Sequence, residues 1–159
     1  VLHLRPGYLF LNFFGNLTLV RDMNVIGNNS GDSTATIFLS HPNDIAEAAA
    51  EELLNLSFKG HSVRYLASDE RKQGEVARVL GTAVGKPDLP WIAFTDEQSY
   101  GGMTGAGLPE KMAKNYVEMG AAMRNGKMWE DFLHHRPQTY GTTKLEDFAK
   151  DFAAVYKAS

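Results

Sequence analysis

The chain has 159 residues, 43% hydrophobic and 22% charged, a size and balance suited to one globular domain with a buried core. A net charge of −3 and a pI near 5.9, with Lys and Arg scattered, exclude the basic footprint of a nucleic-acid or anionic-membrane binder and leave small molecules or proteins as partners. Cysteine is absent and no apolar run is long enough to span a bilayer, which excludes disulfides, thiolate metal sites and a spanning helix, and a start unlike a signal peptide makes a cytoplasmic location the expectation.

Residues 1–4 form an apolar run stopped by Arg5-Pro6-Gly7, the pattern of a buried parallel strand. A helix is expected over 8–20, where Leu9, Phe13 and Leu17 recur every four residues and Phe10, Phe14 and Leu19 widen the apolar face. Residues 24–32, NVIGNNSGD, carry turn chemistry and predict a small hairpin or loop before a strand over 34–39. Pro42 suits the first turn of the next helix, Asp44 and Glu47 complement the positive end of its dipole, and Ile45, Ala49, Leu53 and Leu56 line its inner face.

A strand follows over 62–66, then a helix starting at Ser68-Asp69-Glu70, running through Val76, Leu80 and Val84 and stopped by Gly85-Lys86-Pro87. Residues 89–94 read as a strand, and Thr95 with Gln98 has capping-box spacing. In YGGMTGAGLPE the glycines at 101, 102, 105 and 107 make a regular helix expensive, so a mobile loop or a broken helix is expected, with helix resuming over 109–125 behind Met112, Tyr116 or Val117, Met119 and Met123. Thr143, with Glu146 at box spacing, is expected to cap a terminal helix whose Leu145, Phe148, Phe152 and Val155 face inward. The alternation of strands and helices with a helical end is α/β.

Three motifs suggest chemistry. Tyr140 and Lys144 in YGTTK have the Tyr-x-x-x-Lys spacing that lets an ammonium lower a phenol pKa for acid–base work, but Gly141 and two Thr break the helix this requires, and Thr143 reads better as a cap. GGMTGAG lacks the register of a phosphate loop, because Leu-Pro follows Gly107 where Lys-Ser is needed; it reads as a flexible cover over a pocket. His134 and His135 are adjacent, so they point apart on any regular element and make no metal site.

Arg5-Pro6-Gly7-Tyr8 with Asn12-Phe13-Phe14 resembles the Arg-Pro segment of the NmrA-like proteins, atypical members of the short-chain dehydrogenase group. HPNDIAEAAAEEL is similar to that family's Asp-Ile-Ala helix, GHSVRYLASDERKQGEVARVLGTAVGKP to the Gly-strand-helix unit after it, and TTKLEDFAKDF to its final helix. The likeness runs through most of the chain in order, least so over 97–140. It implies the C-terminal portion of a Rossmann-like NAD(P)-binding fold with a small mixed α/β substrate lobe, residues 1–159 forming one domain that lacks the N-terminal dinucleotide-binding motif.

What the resemblance implies for function follows from that. The parent is expected to be an NAD(P)-dependent oxidoreductase or epimerase-like protein using NAD or NADP, with this part inactive alone and binding no dinucleotide by itself. The alternatives are a non-catalytic NAD(P) redox sensor acting through a protein partner, or an independent α/β binding module. Pro6, Gly7 and Tyr8 are expected on the cofactor side and Asn12, Tyr100 and Met103 on the substrate side, with no metal and no catalytic residue in this part. The strand over 1–4 is expected to self-associate or to pair with a missing N-terminal half.

Overall fold

The computed structural model describes residues 1–56 and 58–158. In chain order it runs β1 (Leu2–Pro6), β2 (Tyr8–Leu9), a 3₁₀ turn (Phe10–Asn16), a π-helical turn (Leu19–Met23), β3 (Ile26–Asn28), β4 (Thr36–Ser40), α1 (Pro42–Asn55), β5 (Ser62–Leu66), β6 (Asp69–Lys72), α2 (Gln73–Ala83), β7 (Trp91–Ala93), α3 (Asp96–Gly105), α4 (Glu110–Arg124), α5 (Glu130–His134) and α6 (Leu145–Ala158). β1 pairs with β5 in parallel, Leu2 opposite Ser62 and Pro6 opposite Leu66. Past Pro6 and Leu66 both chains cross into a second sheet, ordered β2-β4-β6, in which β2 is parallel and β6 antiparallel to β4. A third pair joins β3 to β7 in parallel.

The core is aromatic and is closed by α6, which packs on α2 and on the 3₁₀ turn. Phe148 stacks on Phe10 with ring centroids 5.3 Å apart and meets Phe14 at 5.2 Å, and Phe152 stacks on Phe14 at 6.0 Å. Phe10, Phe13, Leu145, Phe148 and Phe152 are fully buried. Arg71 braces the start of α6 through a paired contact to Glu146, 2.9 and 2.8 Å, and a bond to Asp69, 2.9 Å.

Several local expectations give way to tertiary contacts. The segment over 8–20 does not begin as a helix, because Tyr8 and Leu9 first pair with Leu39 and Ser40. Its buried residues are then Phe10, Phe13 and Asn16, a spacing of three that matches a 3₁₀ turn rather than the expected spacing of four. The stretch over 24–32 forms no hairpin; β3 leaves its sequence neighbour and pairs with β7. The helix expected from Ser68 starts later, because Asp69–Lys72 pairs first with β4, and Glu75 then accepts from the Lys72 amide at 2.8 Å.

α3 runs straight through Gly101 and Gly102, and the expected break falls after Gly105, before α4 begins at Glu110; its start is fixed by the expected box, Thr95 N–H to Gln98 at 2.9 Å and Gln98 N–H to Thr95 at 3.1 Å. In α1 the inner face is small: Ala48 is buried, whereas Leu53 and Leu56 are 68% and 67% exposed. Met112 and Tyr116 lie outside on α4 while Met123 is buried. Thr143 does not cap α6; the Lys144 amide donates to Asp147 at 3.2 Å, and Thr143 bonds Asp44 of α1 at 3.1 Å through its hydroxyl. β1 is not buried either, since His3, Arg5 and Pro6 are exposed.

Candidate functional site

The carboxyl end of β1 is where three strands are stitched together. The Gly7 amide donates to the Leu66 carbonyl at 3.0 Å and to the Ser40 hydroxyl at 2.9 Å, and that hydroxyl donates onward to Leu66 at 3.1 Å. A Cβ at Gly7 would lie 2.9 Å from the carbonyl carbon of Phe38, and closer to its oxygen. The glycine therefore serves the approach of β1 to β4, and the space beside it is filled by the protein's own backbone.

Tyr8 follows directly. Its ring packs on Phe13 at 5.5 Å and the residue is 9% exposed. Burial pushes the phenol up to about 12, while side-chain hydrogen bonds from Asn28 and Asn12 act against that rise and the Tyr116 hydroxyl adds to it. The result is a cluster of uncharged hydrogen-bonding groups drawn from the end of β1, the 3₁₀ turn, the end of β3 and α4. Tyr116, 41% exposed, links it to the surface.

The cluster is held from below by the residues after β3. The Asn28 side-chain oxygen Oδ1 accepts from the Ser30 amide at 2.8 Å and from the Ser30 hydroxyl. Gln73, 1% exposed, donates to the same hydroxyl at 3.0 Å, and its side-chain oxygen Oε1 has no partner among the described residues. Asn29 donates to Asp96 and to the Val117 carbonyl, both at 2.8 Å, and Arg124 clasps Asp96 at 2.9 and 3.2 Å. Arg124 and Asn29 hold the Asp96 carboxyl below its ordinary range. This knot fixes the α3–α4 pair against β3.

The expected residues are thus partly gathered. Tyr8 and Asn12 meet, Gly7 lies in the strand junction and Pro6 is exposed beside it. Tyr100 and Met103 are half-buried on α3, which packs on α4, the helix that brings Tyr116. Asn28 and Tyr116 were not among the residues expected from sequence. Asn28 was hidden in a turn-like run, and its signal was position: an amide closing a short strand ahead of two more polar residues that are buried.

Tyr140 and Lys144 do not make an acid–base pair. The Tyr140 hydroxyl donates to Glu70 at 3.0 Å and burial with that carboxylate raises its pKa, opposite to the direction a phenol base needs. The Lys144 ammonium is held by the carbonyls of Ser68 at 2.6 Å and Gly141 at 2.8 Å. A cavity of about 510 Å³ lies elsewhere, beside β5, lined by Phe58, Val63, Tyr65, His135 and Gln138 among others. No group of His, Asp and Glu suited to a metal occurs among the described residues, and no helix among them is long and apolar enough to cross a membrane.

No protein-family model matches the chain, and no curated protein matches it by sequence. Solved structures do. A nucleoside-diphosphate-sugar epimerase from Staphylococcus aureus is similar at 18% identity and a TM-score of 0.73, over 94% of this chain and 51% of that one. An NADPH-dependent quinone oxidoreductase from Escherichia coli is similar at 20% identity and 0.70, over 91% and 52%. A Citrobacter triphenylmethane reductase, solved with NADP(H), is similar at 20% identity and 0.69, over 92% and 50%. The fold is therefore mixed α/β and corresponds to the C-terminal portion of NAD(P)-binding epimerase and reductase folds. The chain spans about half the length of these structures.

The sequence has no Gly-x-Gly-x-x-Gly turn, and β1 leads into a second strand rather than a glycine turn and a helix N-terminus, so the pyrophosphate cradle is not among these elements.

Proposed function

We propose that this chain is the substrate-side part of an NAD(P)-dependent oxidoreductase or epimerase-like protein, related to the NmrA-like group, and that it binds no dinucleotide alone. The observation behind this reading is the placement of the Tyr8 cluster at the carboxyl end of a parallel strand, the end at which open α/β sheets bind their ligands. Pro6, Gly7 and Tyr8 form the wall nearest the nicotinamide; Asn12, Asn28 and Tyr116, with Tyr100 and Met103 behind them, face the substrate. A bound dinucleotide would supply the hydride. Tyr8, kept neutral, offers a hydrogen bond to a substrate oxygen.

The test follows NADPH consumption by the protein purified from its source, with a quinone and a triphenylmethane dye as acceptors, beside calorimetric titration of the 159-residue chain with NADPH. Turnover by the former and no heat from the latter support the reading; micromolar binding by the isolated chain overturns the second half of it. Dinucleotide binding without turnover supports a redox sensor instead.

A further inference from the structure

Gln73 opens α2, is 1% exposed, and sends its side chain across to the residues after β3. Nε2 donates to the Ser30 carbonyl at 3.2 Å and to the Ser30 hydroxyl at 3.0 Å. A carbonyl oxygen only accepts, so Nε2 has to face it, and Oε1 is left on the far side with no partner among the described residues. A buried amide oxygen without a donor lowers stability, so this side chain is not explained by stability.

Its effect on polarity is definite. The Ser30 hydroxyl has one proton; accepting from Gln73, it donates that proton to Asn28 Oδ1, which also accepts from the Ser30 amide at 2.8 Å. Two donors therefore converge on Oδ1 and settle which way the Asn28 amide is turned. Its NH2 faces the other way, toward Tyr8, whose hydroxyl oxygen takes side-chain hydrogen bonds from Asn28 and from Asn12. With both lone pairs of that oxygen engaged, what Tyr8 has left to offer is its O–H.

We propose that Gln73, acting through Ser30, is a positioning residue for the Tyr8 site: it turns the Asn28 NH2 onto the Tyr8 oxygen and so commits the Tyr8 hydroxyl to donating, which selects ligands that present an acceptor oxygen. The proposal rests on the functional reading above and deepens it. The rival role, a strut between β3 and α2, is already filled by other bonds. The Gln73 and Gly74 amides donate to the carbonyls of Ala35 at 3.0 Å and Ser33 at 2.8 Å, and Trp91 Nε1 donates to the Gly31 carbonyl at 3.0 Å.

The test uses the isotope-labelled 159-residue chain, with solvent exchange of the Asn28 side-chain NH2 protons read by NMR. In Gln73→Met, which keeps the length of the side chain but cannot donate, these protons should exchange on the order of 10-fold faster. Ser30→Ala should give the same gain, and the double variant no more than either, because members of one relay do not add. The Gly74 and Phe94 amides, bonded to the backbone of Ser33 and Asn28, serve as controls and should keep their parental protection. In Raman difference spectra against Tyr8→Phe, the Tyr8 ring doublet should move away from the acceptor signature in both single variants. Unchanged exchange at Asn28, additive effects, or faster exchange shared by Gly74 and Phe94 overturns the proposal and leaves Gln73 a strut. Turnover is read separately, in the protein purified from its source with and without Gln73→Met: kcat/KM for a quinone should fall about 10-fold with KM for NADPH unchanged. Turnover indifferent to residue 73 refutes this proposal alone, and the Asn28 effect in a protein without turnover refutes only the functional reading.

Discussion

Replacing glycine by alanine should change stability in opposite directions at two places in this fold. At Gly7 the new methyl group would sit 2.9 Å from the Phe38 carbonyl carbon, about 0.6 Å inside the usual ~3.5 Å contact between carbons. The obstacle is backbone in β4, so relief requires β1 and β4 to separate, loosening the Gly7 bonds to Leu66 and Ser40. Overpacking of this kind costs about 1–3 kcal/mol and a weakened hydrogen bond about 1 more. The expected loss of about 2–4 kcal/mol lowers Tm by roughly 5–15 °C for a chain of this size. At Gly101 and Gly102 in α3 nothing lies within 4 Å of the added carbon, so each alanine should stabilise by about 0.5–1 kcal/mol through helix propensity and a less flexible unfolded chain. Urea titration and thermal unfolding by circular dichroism measure both. A Gly7→Ala variant within about 0.5 kcal/mol of the parent would refute the reasoning about the strand junction, as would destabilisation by alanine at 101 or 102 for the reading of α3.

Phe148→Ala should cost about 3–5 kcal/mol by urea titration, since it empties the centre of the aromatic cluster. Asp96 is held below its ordinary pKa by Arg124 and Asn29, Asp32 by Thr34, Asp131 by Tyr65, and Asp147 by the Lys144 amide and Lys150. Depressed carboxyls add stability that is fully present above about pH 4 and is lost as pH falls through the folded values, so Tm should fall below about pH 4, modestly because these carboxyls are solvent-screened, and less so in Asp96→Asn. Tyr8, raised to about 12, confers stability that is present below about pH 10 and lost as pH rises through its folded value. A phenolate absorbance titration should show a late-ionising tyrosine near pH 12 that disappears in Tyr8→Phe, while the rise at Tyr140, set by its burial and Glu70, persists.

What could be read from the sequence was what neighbours along the chain decide. The strand Ser62–Leu66 is bounded by a glycine turn, the start of α1 by Pro42, and the start of α3 by Thr95 and Gln98, whose side chains each bond the other's backbone amide. Where a segment could find a better partner far away, local preference lost. Asn28, Asn29 and Ser30 have the composition of a turn, yet their polar groups are consumed by Gln73, Asp96 and Val117, so the strand before them pairs with β7. The glycines of α3 cost helix propensity, but the box at Thr95 and the packing on α4 offset it. The candidate site followed the same division. Tyr8 and Asn12 belong to one short stretch, whereas Asn28 and Tyr116 reach them only once β3 and α4 have docked.

The clasp between α6 and the first helical turns sets the order in which this chain can become stable. Phe10, Phe13 and Phe14 precede the rings that cover them, Phe148 and Phe152, by most of the length of this sequence. Until α6 docks these aromatics have no lid, and the Arg71 clamp has no Glu146 to hold. The folding chain must stay unaggregated with its stickiest surface bare, and cooperative closure waits for contacts between segments far apart in sequence.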